Sequence, residues 1–240
     1  MKCTIGLIFQ ETKYCTLSKT ISLQTPQNEP HLQKTPLKNN EMISTYTIKP
    51  KFQQLLKPVL EWLFKISITA NTITWCAILL SAAIGLAIWL HPFGLMLLVL
   101  PIALLIRMAL NALDGMMART YQMQSKKGEI LNELGDVISD FLMFFPLLKL
   151  FSIQLYILIA FLFMSIINEY AGILGKAVSG YRRYEGPMGK SDRAFVIGIL
   201  SLTYFFTNKL SNYINNIFLI IILLLIISTY LRINNTIKTK

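Results

Sequence analysis

ITWCAILLSAAIGLAIWL, residues 73–90, is followed by His91-Pro92 and then by FGLMLLVLPIALLI, residues 93–106. Neither run holds a charged residue. Crossing the hydrocarbon of a bilayer takes about 20 mostly apolar residues in a helix, and the His-Pro pair interrupts helical continuity between the two runs. They read as consecutive membrane spans. Further apolar blocks occupy 150–167 and 217–227. The whole 240-residue chain is 54% hydrophobic and only 15% charged, where a soluble domain is about a quarter charged. No soluble core of this size hides such blocks, so the fold class is an all-α polytopic membrane protein.

Working outward, the apolar pattern predicts six transmembrane helices, at 73–90, 93–111, 130–148, 151–174, 194–206 and 213–231, the fifth starting near Ser191 to gain length. Before them Phe52, Leu55, Leu56, Val59, Leu60, Leu63 and Phe64 recur at helical spacing with Lys57, Glu61 and Lys65 between them. This predicts an interfacial amphipathic helix within residues 42–68, with Pro58 as a point where it would kink. Residues 1–41 are polar and lack the apolar core of a signal peptide. They are expected to be a disordered extension, or to precede a true start at Met42. Residues 69–240 then form the membrane domain.

The net charge of +11 follows topology. Lys49, Lys51, Lys57 and Lys65 precede the first span, and Arg119, Lys126 and Lys127 lie between the second and third. Lys176, Arg182, Arg183, Lys190 and Arg193 lie between the fourth and fifth, and Arg232, Lys238 and Lys240 follow the sixth. The remaining connections carry Lys149 and Lys209 alone. The positive-inside rule places both termini and both basic loops in the cytoplasm, so the charge does not point to nucleic acid. Cys3, Cys15 and Cys76 are the only cysteines, which leaves no disulfide framework and no zinc cluster.

Chemistry is concentrated at the second and third spans. Arg107, Asn111 and Asp114 fall on one face of a continued helix, and Gly128, Asn132, Asp136 and Asp140 step by four. Ionisable groups at membrane depth are costly and face a partner or a watery cavity. The two stripes therefore suggest one shared site, with Arg107 pairing to Asp114 or Asp140 as the purely structural alternative.

The string from Asn111 reads N-x-x-D-G-x-x-A-R and, after a gap of eight, G-x-x-x-N-x-x-x-D, ending at Asp136. This resembles the signature of the integral-membrane, class I CDP-alcohol phosphatidyltransferase family. In that family the four acidic positions are all Asp; here Asn111 and Asn132 replace the first and third. The resemblance covers 46–231 and implies a six-helix enzyme that displaces CMP from a CDP-linked lipid by an acceptor alcohol, using Mg²⁺ or Mn²⁺ at the cytoplasmic side. Carried over by position, Asp114, Asp136, Asn111 and Asn132 are the expected metal ligands, and Asp136 is also the candidate general base. Gly115, Ala118, Arg119 and Gly128 are expected around the nucleotide, with Arg119 clamping phosphate. Asn71 belongs to a Thr69–Thr74 segment that is similar to one in the family and equally well a helix cap. Lys190, Arg182 and Arg183 are expected at phosphate or headgroup, and Asp140 and Arg107 behind the ligands. Glu169 either contacts the alcohol or pairs with a basic neighbour.

An amide oxygen ligates a cation without bringing charge and cannot act as a base. The two asparagines therefore predict that metal and substrate binding are coupled. The expected function is transfer of a phosphatidyl or related phospho-alcohol group in phospholipid synthesis, at a bacterial inner membrane with the site facing the cytoplasm. Glycerol phosphate, serine and inositol phosphate are acceptor classes that use similar frameworks. The expected partners are the CDP-linked lipid, the acceptor, membrane lipids and, as an open option, a second copy in a homodimer. The alternative is a non-catalytic relative that binds nucleotide or lipid without turnover. A small transporter is a weaker third reading, because the chain shows no internal repeat.

Overall fold

The computed structural model describes residues 48–92 and 94–238; the expected extension 1–41 and the start of the 42–68 segment lie outside the described residues. Among these residues every regular element is a helix: α1 (Ile48–Lys65), α2 (Ala70–Leu90), α3 (Gly94–Thr120), α4 (Lys126–Phe144), α5 (Leu147–Leu150), α6 (Leu155–Ser179), α7 (Lys190–Phe206), a 3-10 segment (Asn208–Tyr213) and α8 (Ile214–Lys238).

The termini follow from local chemistry. Thr69 caps α2 by accepting from the Thr72 amide (3.3 Å), and Ser125 caps α4 by accepting from the Gly128 amide (3.0 Å). Pro58 lies inside α1 and Pro101 inside α3. α3 runs past the apolar block to Thr120 because nothing between Arg107 and Thr120 breaks a helix, so the first half of the polar motif rides on its last turns. The third span expected at 130–148 is shifted: α4 starts at the Ser125 cap and ends before Pro146, with the single turn α5 following. α6 starts at Leu155 and ends on Gly180, whose φ of 77° is the left-handed cap that glycine accepts freely.

α2 packs between α3 and α4, α7 packs on α3, α6 pairs with α8, and α4 touches α6. The main core joins Ile88, Leu100, Phe144, Leu147, Phe151, Phe161 and Phe218, with Phe161 set edge-on to Phe218 at 5.2 Å between ring centres. A second cluster, Leu56, Leu60, Ala70, Ile73, Leu113, Met116 and Met117, seats α1 against α3 and the start of α2. On α1 Leu55, Val59, Trp62 and Phe64 stay exposed.

The α2–α4 approach depends on glycine. A Cβ at Gly85 would run into the Leu142 carbonyl oxygen, and one at Gly135 would stand 2.9 Å from Ile78 Cδ1. Gly85→Leu should therefore cost about 2–3 kcal/mol through overpacking. Thermal unfolding in detergent should show a clear loss relative to Ser81→Ala, which removes a hydroxyl bonded only to its own helix at Ala77 O (2.8 Å); equal melting temperatures for the two variants would contradict this packing.

α2, α3, α6 and the stretch Leu210–Lys238 are long and apolar enough to cross a membrane. α4 differs because Lys126, Lys127, Glu129, Glu133, Asp136 and Asp140 all lie on it, and α7 because its 17 residues reach only about 25 Å.

Candidate active site

The start of α2, the end of α3 and the start of α4 enclose a cleft of about 470 Å³. Its α3 wall is Asp114, Gly115, Ala118 and Arg119; its α4 wall is Gly128, Glu129 and Asn132; Asn71 and Thr74 face it from α2. The helical repeat explains the first wall: Asp114 and Ala118, at i and i+4, share one face, and Gly115 and Arg119 repeat that spacing on the adjoining one, all four within about 140° around the helix. Gly128 is tightly enclosed: a Cβ there would stand 2.8 Å from Asn71 Oδ1 and 3.0 Å from Ser125 Oγ. The Arg119 guanidinium lies close to Gly115, 3.5 Å from where a Cβ would be.

Asp114 is buried, and Thr74 Oγ1 donates to its Oδ2 at 3.0 Å. Its Oδ1 is buried without a hydrogen-bond partner; among the described residues no other buried carboxylate oxygen is left so. A buried anionic acceptor is expensive to leave unmatched, and a carboxylate oxygen is a ligand of the kind that hard divalent cations take. Asp114 offers one such oxygen; among the described residues no three His, Cys, Asp or Glu side chains gather to hold a metal ion.

Asp136 is buried as well, yet it is not part of the cleft wall. Asn111 Nδ2 donates to its Oδ1 at 2.7 Å, and the Lys190 ammonium pairs with its Oδ2. The reverse orientation of the Asn111 amide would set two acceptors against each other, so the amide oxygen is turned away from Asp136. Lys190 also lies 3.9 Å from Glu169 Oε2. It reaches both carboxylates from the first residue of α7, which Asp192 helps start by accepting from the Gly189 amide at 3.1 Å.

Behind this lies a buried ion network. Arg107 pairs with Asp140 Oδ1 at 2.5 Å and donates to the Asp136 carbonyl at 3.1 Å; it does not pair with Asp114. Arg193, with no side-chain exposure, bridges Asp140 Oδ2 (2.7 Å) and Glu169 Oε1 (3.1 Å) and donates to the Met188 carbonyl (3.2 Å). Arg182 joins Glu169 Oε2 (3.1 Å) to Glu133, and its burial holds the guanidinium below its ordinary pKa. Arg183 pairs with Glu185 at 3.2 Å and donates to the Asn235 carbonyl at 3.2 Å. Glu169 is thus seen with basic neighbours, while Arg182 and Arg183 stand outside the walls of the cleft.

Sequence reasoning did not single out Thr74, Glu133 or Arg193 as site residues. Thr74 carried a signal as part of the Thr69–Thr74 segment, one turn beyond the cap. Glu133 directly follows Asn132 and Arg193 sat in a cluster explained by topology, so neither had a pattern of its own.

A model of the family described as CDP-alcohol phosphatidyltransferase matches residues 67–233, and the chain belongs to this family. Inner membrane protein YnbA of Escherichia coli (strain K12) is 48% identical over 160 residues, which make up 67% of this chain and 80% of that protein. Among solved structures, Mycobacterium tuberculosis phosphatidylinositol phosphate synthase (PgsA1) with CDP-DAG bound matches with a TM-score of 0.64 at 19% identity, covering 78% of this chain and 95% of that one. The same synthase in complex with manganese and citrate gives 0.63 at 19% identity, covering 76% and 88%. At that identity the likeness is one of fold.

Proposed function

We propose that the protein is an integral inner-membrane enzyme that transfers a phosphatidyl or related phospho-alcohol group from a CDP-alcohol, such as CDP-diacylglycerol, to an acceptor alcohol and releases CMP. The observation that carries this reading is the convergence of six of the eight motif positions on one cleft: Asp114, Gly115, Ala118 and Arg119 from α3 face Gly128 and Asn132 from α4, while Asn111 and Asp136 lie outside its wall. Family membership and the fold shared with a CDP-DAG-bound synthase support it.

In this reading the cleft takes the CDP moiety. Gly128 and Ala118 leave room for the nucleotide, and Arg119 holds phosphate from the α3 end. Asp114, Asp136 and the Asn132 amide oxygen would hold Mg²⁺ or Mn²⁺, with Asn111 fixing Asp136 through its amide nitrogen. Such an ion supplies positive charge that offsets the pyrophosphate. The acceptor oxygen attacks the phosphorus of the phosphatidyl group, the bond from that phosphorus to the CMP oxygen breaks, and the acceptor proton passes to Asp136. Lys190 and Asn111 orient the Asp136 carboxylate for that transfer. Arg107, Arg193 and Asp140 brace α3, α4 and α7 around it, and Arg182 and Arg183 order the loop before α7, where an acceptor headgroup would meet them.

The bilayer assignment is part of the proposal: α4 and α7 complete six spans, shielding their charged faces within the bundle, while α1 lies in the interface with Leu55 and Trp62 toward lipid. A single cysteine at Lys126 or Ser179 should then react with a membrane-impermeant reagent only from the cytoplasmic side, and one at Pro92 only from outside. Reversed labelling would remove the cleft from the cytoplasm. Mass spectrometry of lipids formed from CDP-diacylglycerol with glycerol phosphate, serine and inositol phosphate tests the function itself. One new phospholipid, accompanied by stoichiometric CMP, is expected; no product with any acceptor would favour the non-catalytic reading.

A further inference from the structure

We propose that the site holds a single divalent cation per chain, and that the Lys190 ammonium, fixed on Asp136 beside the Asn111 amide, occupies the electrostatic place of a second. The inference rests on the transferase reading, because it concerns the metal of that same cleft.

Four carboxylates at the motif positions would carry enough negative charge to compensate two divalent ions. Here two of the four are amides, and the structure shows how the remaining charge is used. Both oxygens of Asp136 are engaged, Oδ1 by Asn111 Nδ2 at 2.7 Å and Oδ2 by Lys190. Asp114 has one oxygen satisfied by Thr74 and the other buried without a partner. The carboxylate oxygen left for a cation is therefore Asp114 Oδ1. One ion placed there can also share Asp136, whose contacts with Asn111 and Lys190 leave further acceptor directions on each oxygen.

A second ion meets two obstacles. It would have to approach Asp136 from the side held by Lys190, against a fixed positive charge. It would also find the Asn111 amide nitrogen, a donor, where a ligand oxygen is needed. Turning that amide would set its oxygen against Asp136 Oδ1. Asn111 and Lys190 act together: one removes a negative charge from the first acidic position, the other brings a positive one to the last. Glu169, 3.9 Å from Lys190, helps keep the ammonium in place.

Mn²⁺ counting by electron paramagnetic resonance, on full-length protein in detergent with CDP-diacylglycerol and no acceptor, tests this without reference to turnover. Wild type should bind one Mn²⁺ per chain with an isolated-ion spectrum. Asn111→Asp plus Asn132→Asp should bind two, with the broadened signal of a coupled pair. Lys190→Met should still bind one, but with a Kd about tenfold lower, since a positive charge near the ion is gone. Two ions in wild type, or an unchanged Kd in Lys190→Met, would overturn the proposal and leave the transferase reading standing. Absence of bound Mn²⁺ in wild type would also overturn it, and CMP release measured on the same sample with an acceptor present would show whether the transferase reading falls as well.

Discussion

Asp136→Asn should lower CMP release by about a thousandfold while leaving the protein folded. A neutral amide cannot take the acceptor proton, and loss of a positioned general base commonly costs 10²–10⁴-fold. Asn111 would lose an anionic acceptor and Lys190 its nearer carboxylate, but Lys190 keeps Glu169 within 3.9 Å, and the Arg107 contact to residue 136 is to the backbone carbonyl. Helical circular dichroism and gel filtration should therefore be unchanged. Asp114→Asn should reduce turnover comparably by a different route, removing the charge from a cleft-lining carboxylate whose Oδ1 is buried without a partner. The two variants separate by metal binding: Asp114→Asn should lose it, whereas Asp136→Asn should weaken it. Near-normal CMP release in Asp136→Asn would assign proton transfer elsewhere.

The second large effect is on stability. Arg193 is fully buried and holds Asp140 Oδ2, Glu169 Oε1 and the Met188 carbonyl. Removing one member of a buried ion network costs about 3–5 kcal/mol, because the partners are left as uncompensated buried charges. Arg193→Met should sit near the lower bound, since Asp140 keeps Arg107 and Glu169 keeps Arg182. Thermal unfolding in detergent should show the loss, and a double-mutant cycle with Asp140→Asn should show a coupling of about 0.5–3 kcal/mol, because the two side chains are in direct contact. Strict additivity of the two substitutions would mean that Arg193 and Asp140 are not coupled.

Which parts of this arrangement the sequence discloses follows from the range of each interaction. The apolar runs behind α2 and the first half of α3 are local, and they are legible residue by residue. So are the Thr69 cap and the spacing that sets Asp114 and Ala118 on one helical face. The motif at Asn111–Asp136 is legible as a string, because a helix converts regular spacing into adjacency. Interactions between distant elements have no such trace. Nothing in Thr74 alone says that it donates to Asp114, forty positions on, and nothing in Arg193 distinguishes a fully buried clamp from another cytoplasmic cation. Lys190 and Arg182 lie in one basic loop, yet the first reaches Asp136 and the second Glu133 and Glu169. The turn before α7 decides that, and its geometry depends on docking against other helices: Arg183 N donates to the Gly172 carbonyl on α6 (3.2 Å), and Arg232 Nε on α8 donates to the Glu185 carbonyl (3.2 Å). α4 starts ahead of the apolar block for the same reason in miniature: its charged first turns carry no hydropathy signal, while the cap at Ser125 fixes the start.

In the function proposed above, a chain with two of the four motif carboxylates replaced by amides is still a working transferase. The most direct test is metal-dependent CMP release from CDP-alcohols, with an acceptor panel, comparing wild type with Asn111→Asp plus Asn132→Asp at matched protein concentrations. The account predicts CMP release by wild type that chelation abolishes and that Mg²⁺ or Mn²⁺ restores. No release from wild type with any CDP-alcohol, alongside clear release from the double aspartate variant, would contradict it and make this chain a non-catalytic member of its family.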